Sequence, residues 1–319
     1  MIAYLATAPH LYTLGWFLDE WEPGLRDRIQ LRSYEDVLAD RRDTPGTYVF
    51  TDIERLSPDR LRDADRLWVR LARLGDGVRL LNRPLETWRR RELLRHLYDM
   101  DVNSFRARRF PSPGVHRMLA GRIGAALARA GDVRGARRLV SPLLRFPVFI
   151  RSASEHDGNL SPLLYGWQQL REAAGQLVRG GRDPADLLVV EFCDTRDADG
   201  VFRKYGAFVI GERIVPRGVM FSRHWMVKDH DLKGPEFLRE QRAYDEGNPH
   251  AAWLADLARR ARLGYGRIDY ALKDGVPQVW EINTNPTVVT PRHTFTPSDE
   301  VLLGSRMDAI GRALEALDR

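Results

Sequence analysis

Cysteine, lysine and long apolar runs are all scarce in this 319-residue chain, and each scarcity removes a class of protein. The one cysteine, Cys193, cannot close an internal disulfide, so the disulfide-stapled secreted scaffolds are excluded and a reducing compartment is expected. It ends the apolar stretch LLVVEFC, where a thiol reads as a small buried hydrophobe rather than a nucleophile. No apolar run approaches the roughly 20 residues that span a bilayer. The opening MIAYLATAPHLYTLGW also lacks the basic region of a signal peptide, so a cytoplasmic protein with no membrane partner is expected. Repeats and low-complexity tails are absent too. A hydrophobic content of 43% with 9% aromatics indicates folding throughout, with length for two or three packed lobes.

Positive charge is therefore almost all arginine: of 50 basic residues only Lys204, Lys228, Lys233 and Lys273 are lysines. It is also unevenly placed. Net charge is −4 over residues 1–60, +12 over 61–150 and −2 over the remainder. The runs WRRRELLRHL, FRARRF and VRGARRLV supply most of the excess, and the first and last have helical character. Such a region suits an acidic small molecule or RNA, or simply forms solvated helix faces. Aromatics do not interleave with the runs as stacking on single strands would require, so RNA is the less favoured partner.

The most informative stretch is GRIDYALKDGVPQVWEINTNP, residues 266–286. GRIDYAL and QVWEIN alternate polar with apolar residues around a Gly/Pro turn, predicting an antiparallel hairpin. With a loop over 273–277, Leu272 faces Gln278 and Asp269 faces Glu281. Asn283 then shares their face, while Ile268, Tyr270, Trp280 and Ile282 take the core face. Two opposed carboxylates about 5 Å apart repel by roughly 3 kcal/mol at an effective dielectric of 20. Either a divalent cation or Arg267, two positions from Asp269, must offset this. Oxygen-only donors suit magnesium better than zinc.

Here the chain resembles the ATP-grasp superfamily, whose glutathione synthetase and ribosomal-protein glutamate ligase branches end their metal strand in a similar Glu-x-Asn-x-x-Pro pattern. The likeness extends to FPVFIRSASEHDGN, residues 146–159, and to residues 187–219, covering roughly half the chain. It implies Asp269, Glu281 and Asn283 as magnesium ligands. It also implies a hinge in which Glu191, Phe192 and Cys193 meet adenine and Asp194 the ribose. Arg203, Lys204 and Arg217, on the hairpin strands YGAFVI and RIVPRGV or just before them, are implied near the phosphates. Arg217 stands out because it follows Pro216 within an apolar strand, where an unpaired charge is costly.

The pattern departs from the family at Arg151, where a lysine is usual, and in the loop SASEHDGN, which has one glycine where relatives have several. Fewer glycines restrict how closely backbone amides approach a phosphate, although an arginine fork still binds one well. His156 and Asp157 in this loop read as an ordinary turn held by side-chain hydrogen bonds, with a metal or acid/base role as the alternative.

The fold class expected is α/β: an ATP-grasp fold with an N-terminal open α/β domain over 1–110, a lid lobe over 111–190 and a C-terminal antiparallel-sheet lobe over 191–319. Strands are expected at 2–6, 30–37, 47–52, 78–82 and 105–110. Helices are expected at 57–74, 87–98, 115–130, 161–178, 249–263 and 299–317, with a boundary at PSPG, 111–114.

The function implied is an ATP-dependent carboxylate–amine ligase working through an acyl phosphate, with ATP and magnesium as cofactors and small-molecule or peptide substrates. Arg217, Arg151 and Lys204 are its catalytic cations, and His293 is a substrate-side candidate. A phosphotransferase, or a degenerate grasp protein holding RNA or a partner, uses the same motifs.

Overall fold

The structure, a computed structural model, describes residues 1–40, 42–109, 144–155, 158–228 and 231–318. The helix expected at 115–130, the PSPG boundary, and His156 with Asp157 lie outside them. The chain divides into two compact units, Met1–Leu93 with Thr195–Arg319, and Leu94–Asp194. Among the described residues no helix is long and apolar enough to cross a membrane.

The first unit opens with β1 (Ile2–Ala6), α1 (Tyr12–Glu20), β2 (Ile29–Ser33), α2 (Tyr34–Ala39), β3 (Gly46–Phe50), α3 (Pro58–Ala72) and β4 (Val78–Leu81). All four strands are parallel, in the order β2-β1-β3-β4. The strand expected over 30–37 stops at Ser33, because the Ser33 hydroxyl accepts the Asp36 amide at 3.1 Å and turns the chain into α2. Ser57 caps α3 in the same way, through the Arg60 amide at 3.3 Å. The α3 stripe of Leu61, Ala64, Leu67 and Leu71 is buried, while Leu74 lies past the helix end and is exposed. Helix α1 was not expected; Gly15 and Thr13 interrupt its pattern, yet Leu14, Phe17 and Leu18 are fully buried.

The boundary between the units falls inside α4 (Arg90–Asp99). The second unit holds β5 (Ala107–Arg109), β6 (Val148–Ser152), α5 (Trp167–Arg179) and β7 (Leu187–Glu191), with an antiparallel sheet ordered β5-β7-β6. Leu170 and Ala174 of α5 bury against Val148, Ile150 and Val189.

The first unit then resumes with β8 (Phe202–Ile210), β9 (Arg213–Ser222), α6 (Pro235–Gly247), α7 (Ala251–Arg260), β10 (Tyr265–Lys273), β11 (Val276–Asn283) and α8 (Pro297–Glu315). Its second sheet is antiparallel, β11-β10-β8-β9. Helix α7 is the one expected at 249–263. Helix α6 before it was unforeseen, and Asn248, in the left-handed region, ends α6 so that two helices stand there. Phe208, Ile210, Val215 and Tyr265 of this sheet share one core with α1, α8 and the parallel sheet.

The β10–β11 register reaches the expected Asp269–Glu281 pairing by a different route. Asp274 and Gly275, both at positive φ, close a two-residue turn, so Leu272 faces Pro277 rather than Gln278. A bulge at Trp280 adds the compensating residue: Tyr270 faces Val279, and Asp269 again faces Glu281. The bulge also exchanges two residues. Val279 is fully buried, while Trp280, expected in the core, is half-buried.

Candidate active site

Four strands set out the site on one face of the antiparallel sheet. Asp269 on β10 and Glu281 on β11 are opposite each other and only 2% and 7% exposed. Their repulsion is offset by cations. Arg267 forks onto Asp269, with Nε–Oδ1 at 2.6 Å and Nη2–Oδ2 at 3.0 Å, and Lys204 Nζ reaches Oδ2 at 2.9 Å. Arg90, at the start of α4 and 1% exposed, donates Nη2 to Glu281 Oε2 at 2.6 Å. Burial alone would raise the Asp269 carboxyl, but the Arg267 and Lys204 charges outweigh it and hold it below the usual carboxylate range.

Arg90 is the residue the sequence reading missed. It sits within the basic run WRRRELLRHL, whose charge was legible but whose one inward-turning member was not. Its position at the head of α4 follows from the Trp88 amide donating to the Ala261 carbonyl at 3.0 Å. That bond holds residue 88 against the end of α7.

Arg217 differs from its neighbours. It occupies a bulge on β9, between the pairs Gly206–Gly218 and Ala207–Pro216, and its guanidinium makes no hydrogen bond or ion pair among the described residues. Burial, together with the nearby Arg267 and Arg306 charges, pushes its guanidinium down to about 10. Space for it comes from Gly206, where an added Cβ would stand 3.3 Å from Arg217 Cβ and 3.6 Å from Asp269 Oδ1.

Arg203 and Lys204 are adjacent on β8 and so face opposite sides of the sheet. Lys204 joins the acid face. Arg203 is taken by Glu240 at 2.6 Å and by Asp197, which corrects its expected place beside the phosphates.

Asn283 ends β11 opposite Arg267, and its Oδ1 accepts the Asn285 amide at 2.9 Å. The next residues anchor to the parallel sheet. The Glu54 carboxylate accepts the Thr284 amide at 3.0 Å and the Thr284 hydroxyl. Asn285 Oδ1 accepts from Tyr4 at 2.5 Å and from Thr13 at 2.6 Å. The sequence NTNP thus ties the end of β11 to Glu54 after β3, to Tyr4 of β1 and to Thr13 of α1. His293 lies exposed on a surface turn.

In the second unit Arg151 is buried on β6, paired with Leu188 of β7. The loop after it is held by an acid. Asp186 accepts from the Ser152 hydroxyl at 2.5 Å, the Ser154 amide at 3.1 Å and the Ser154 hydroxyl at 2.8 Å, while the Glu155 amide donates to Ser152 Oγ at 2.8 Å. Those amides are committed within the loop. Glu191, fully buried, accepts the Arg106 and Arg145 amides at 3.1 and 2.8 Å and the Arg145 guanidinium at 2.9 Å. The Glu191 and Phe192 amides donate to the Arg106 and Pro147 carbonyls, both at 2.9 Å. Glu191 is thereby a structural lock of the strand. Cys193 is buried, with Ser104 Oγ at 3.4 Å from its sulfur.

Neither a protein-family model nor a curated protein matches this sequence. Solved structures do match the fold. D-alanine–D-alanine ligase from Bacillus anthracis is similar over 99% of this chain and 94% of that one, with a TM-score of 0.52 and 13% identity. The same ligase complexed with ATP is similar over 99% and 97%, with a TM-score of 0.50 and 12% identity. A RimK domain ATP-grasp protein from Sphaerobacter thermophilus covers 97% and 98% at 15% identity and a TM-score of 0.44. The chain has the ATP-grasp fold, with a parallel N-terminal sheet followed by antiparallel sheets.

Proposed function

We propose that the protein is an ATP-dependent ligase that activates a carboxylate as an acyl phosphate and passes the acyl group to an amine. The observation that carries this reading is the charge on the β10–β11 face. Asp269 and Glu281 supply two negative charges and Arg90, Lys204, Arg217 and Arg267 four positive ones. Two positive charges in excess, one of them on the unpartnered Arg217, suit a polyanion that brings its own metal better than a bare cation.

Asp269, Glu281 and Asn283 are the residues that would hold magnesium, and their all-oxygen donor set fits a metal usually bound by one or two carboxylates plus substrate phosphates. When bound, the metal neutralises charge on the β- and γ-phosphate oxygens. Lys204, on a flexible stem, can leave Asp269 for a phosphate oxygen, and Arg217 meets the transferring phosphoryl group with a fixed fork. Because the Ser154 and Glu155 amides are committed to Asp186 and Ser152, a phosphate beside that part of the loop would be met by a side chain, with Arg151 the candidate. Adenine recognition is assigned to the main chain of Phe192 and Cys193, with Asp194 on the ribose. The ATP-bound relative of the same fold supports this choice of nucleotide.

Titration calorimetry on the full chain tests the reading. MgATP is expected to bind at micromolar to submillimolar concentration, and magnesium alone not measurably. Absence of MgATP binding at millimolar magnesium would overturn it.

A further inference from the structure

A second cluster of chemical groups lies at the carboxyl end of the parallel sheet. In the order β2-β1-β3-β4 the chain leaves β1 toward β2 on one side, while β3 lies on the other. The loops after β1 and β3 therefore diverge, which is where open parallel sheets place their ligands. The loop after β1 supplies Thr7 and His10, and the loop after β3 supplies Asp52 and Arg55.

Asp52 is fully buried and held in the left-handed region at φ 59°, ψ 23°, an uncommon and costly backbone state for a residue with a side chain. That conformation aims its carboxylate back at β1. Oδ2 accepts the Thr7 amide at 3.3 Å and the Thr7 hydroxyl, and lies 3.0 Å from His10 Nδ1; Oδ1 accepts from Arg55. The hydroxyl of Thr7, 2.7 Å from the same Nδ1, donates to Asp52. A carboxylate with a cation on one oxygen can only accept, so Nδ1 carries the proton, and in the neutral ring it is Nε2 that holds the lone pair. Nε2 makes no hydrogen bond among the described residues, and the His10 side chain is 28% exposed.

The dyad is joined to the acid site through the backbone. The His10 carbonyl accepts Asn285 Nδ2 at 3.2 Å, and Asn285 lies two residues beyond Asn283. Tyr12, its ring centroid 6.3 Å from that of His10, and Trp16, 4.6 Å from Tyr12, give an aromatic wall beside the imidazole. Asp52 and Tyr12 lie beside the ring, and Arg55 sits on the other oxygen of Asp52.

We propose that His10, oriented by Asp52 and Thr7, accepts the proton shed by the amine nucleophile. This inference rests on the ligase reading. The amine enters as neutral –NH2, its lone pair forms the C–N bond, and the C–O bond to phosphate breaks with its electron pair leaving on the phosphate. The proton released from nitrogen passes to His10 Nε2 and then to water. Asp52 is a positioning residue: it fixes the tautomer and stabilises the imidazolium.

His10→Gln and Asp52→Asn are compared with the wild-type chain by calorimetry with MgATP, by rate against pH over a panel of amino acids as carboxylate and amine, and by rate with hydroxylamine as nucleophile. Histidine ¹⁵N NMR reads the tautomer directly. The wild type is expected to show the Nδ1–H tautomer and an acidic limb in its amine-dependent rate. His10→Gln should lose that limb and about 10²–10⁴-fold in the amine step, with a much smaller loss with hydroxylamine and unchanged MgATP affinity. Asp52→Asn should shift the tautomer toward Nε2–H. A wild-type Nε2–H tautomer, or equal losses with amine and hydroxylamine, overturns the dyad while leaving the ligase reading intact. Absence of MgATP binding in the wild type overturns the ligase reading instead.

Discussion

An arginine held without a partner in a crowded cationic face destabilises the empty protein, so removing it should raise stability and lower function together. Arg217→Met keeps the stem that packs beside Gly206 and deletes only the guanidinium. Holding a guanidinium at about 10 penalises its charged form by roughly 3 kcal/mol. Because the side chain is partly solvated, about 1–2 kcal/mol is the expected gain, or about 1.5–3 °C in melting temperature for a protein this large. The sign of the pH dependence follows: a base whose folded value lies below its unfolded one is penalised at all pH values below about 10, and the penalty fades as pH rises above that. The gain should therefore be complete at pH 7.5 and shrink in strong alkali. With MgATP the order reverses, since a charge-assisted bond of about 1.5–3 kcal/mol is lost, weakening affinity some 10- to 100-fold. Scanning fluorimetry with and without MgATP reads both effects. A variant that melts lower than wild type and binds MgATP equally well would refute the reasoning.

Glu281→Gln should abolish turnover, and it should also lower the melting temperature of the nucleotide-free protein by an amount corresponding to about 1–3 kcal/mol, since the buried Arg90 loses a charged partner; a rise would mean that repulsion from Asp269 dominates. Lys204→Met should make the fold more acid-sensitive. The Asp269 carboxyl is lower folded than unfolded, so its contribution is complete above the ordinary carboxylate range and is lost as pH falls through the folded value; melting curves from pH 3 to 7 should show the variant losing stability at a higher pH than wild type.

Much of the fold was legible because its elements carry local signals. Ser57 followed by Pro58 marks a helix start that tertiary context had no reason to override, and the apolar runs of β1, β3 and β7 end close to where the sequence ends them. The failures also have local causes. Ser33 sits at the end of an alternating stretch that continues to Val37, and only its bond to the Asp36 amide shows that the strand has given way to a helix. Helix α6 was unforeseen and is ended by Asn248, whose left-handed backbone leaves no mark on hydrophobic periodicity.

The acid site shows how a correct pairing can follow from incorrect geometry. Counting from a five-residue loop puts Asp269 opposite Glu281, and so does a two-residue turn followed by a one-residue bulge. The two routes differ only in which residue is buried between them, Trp280 or Val279, so the pairing alone does not reveal the turn. Strand alternation, by contrast, contains a constraint that the sequence reading left unused: Arg203 and Lys204 are neighbours on one strand and cannot both face one ligand, and the structure gives the acid face to Lys204. Arg90 and the pair His10 and Asp52 were illegible for a deeper reason. Each acts through a partner between 42 and 191 positions away, and no period of the chain records which arginine of a basic run, or which histidine of a loop, will turn toward a carboxylate that another strand supplies.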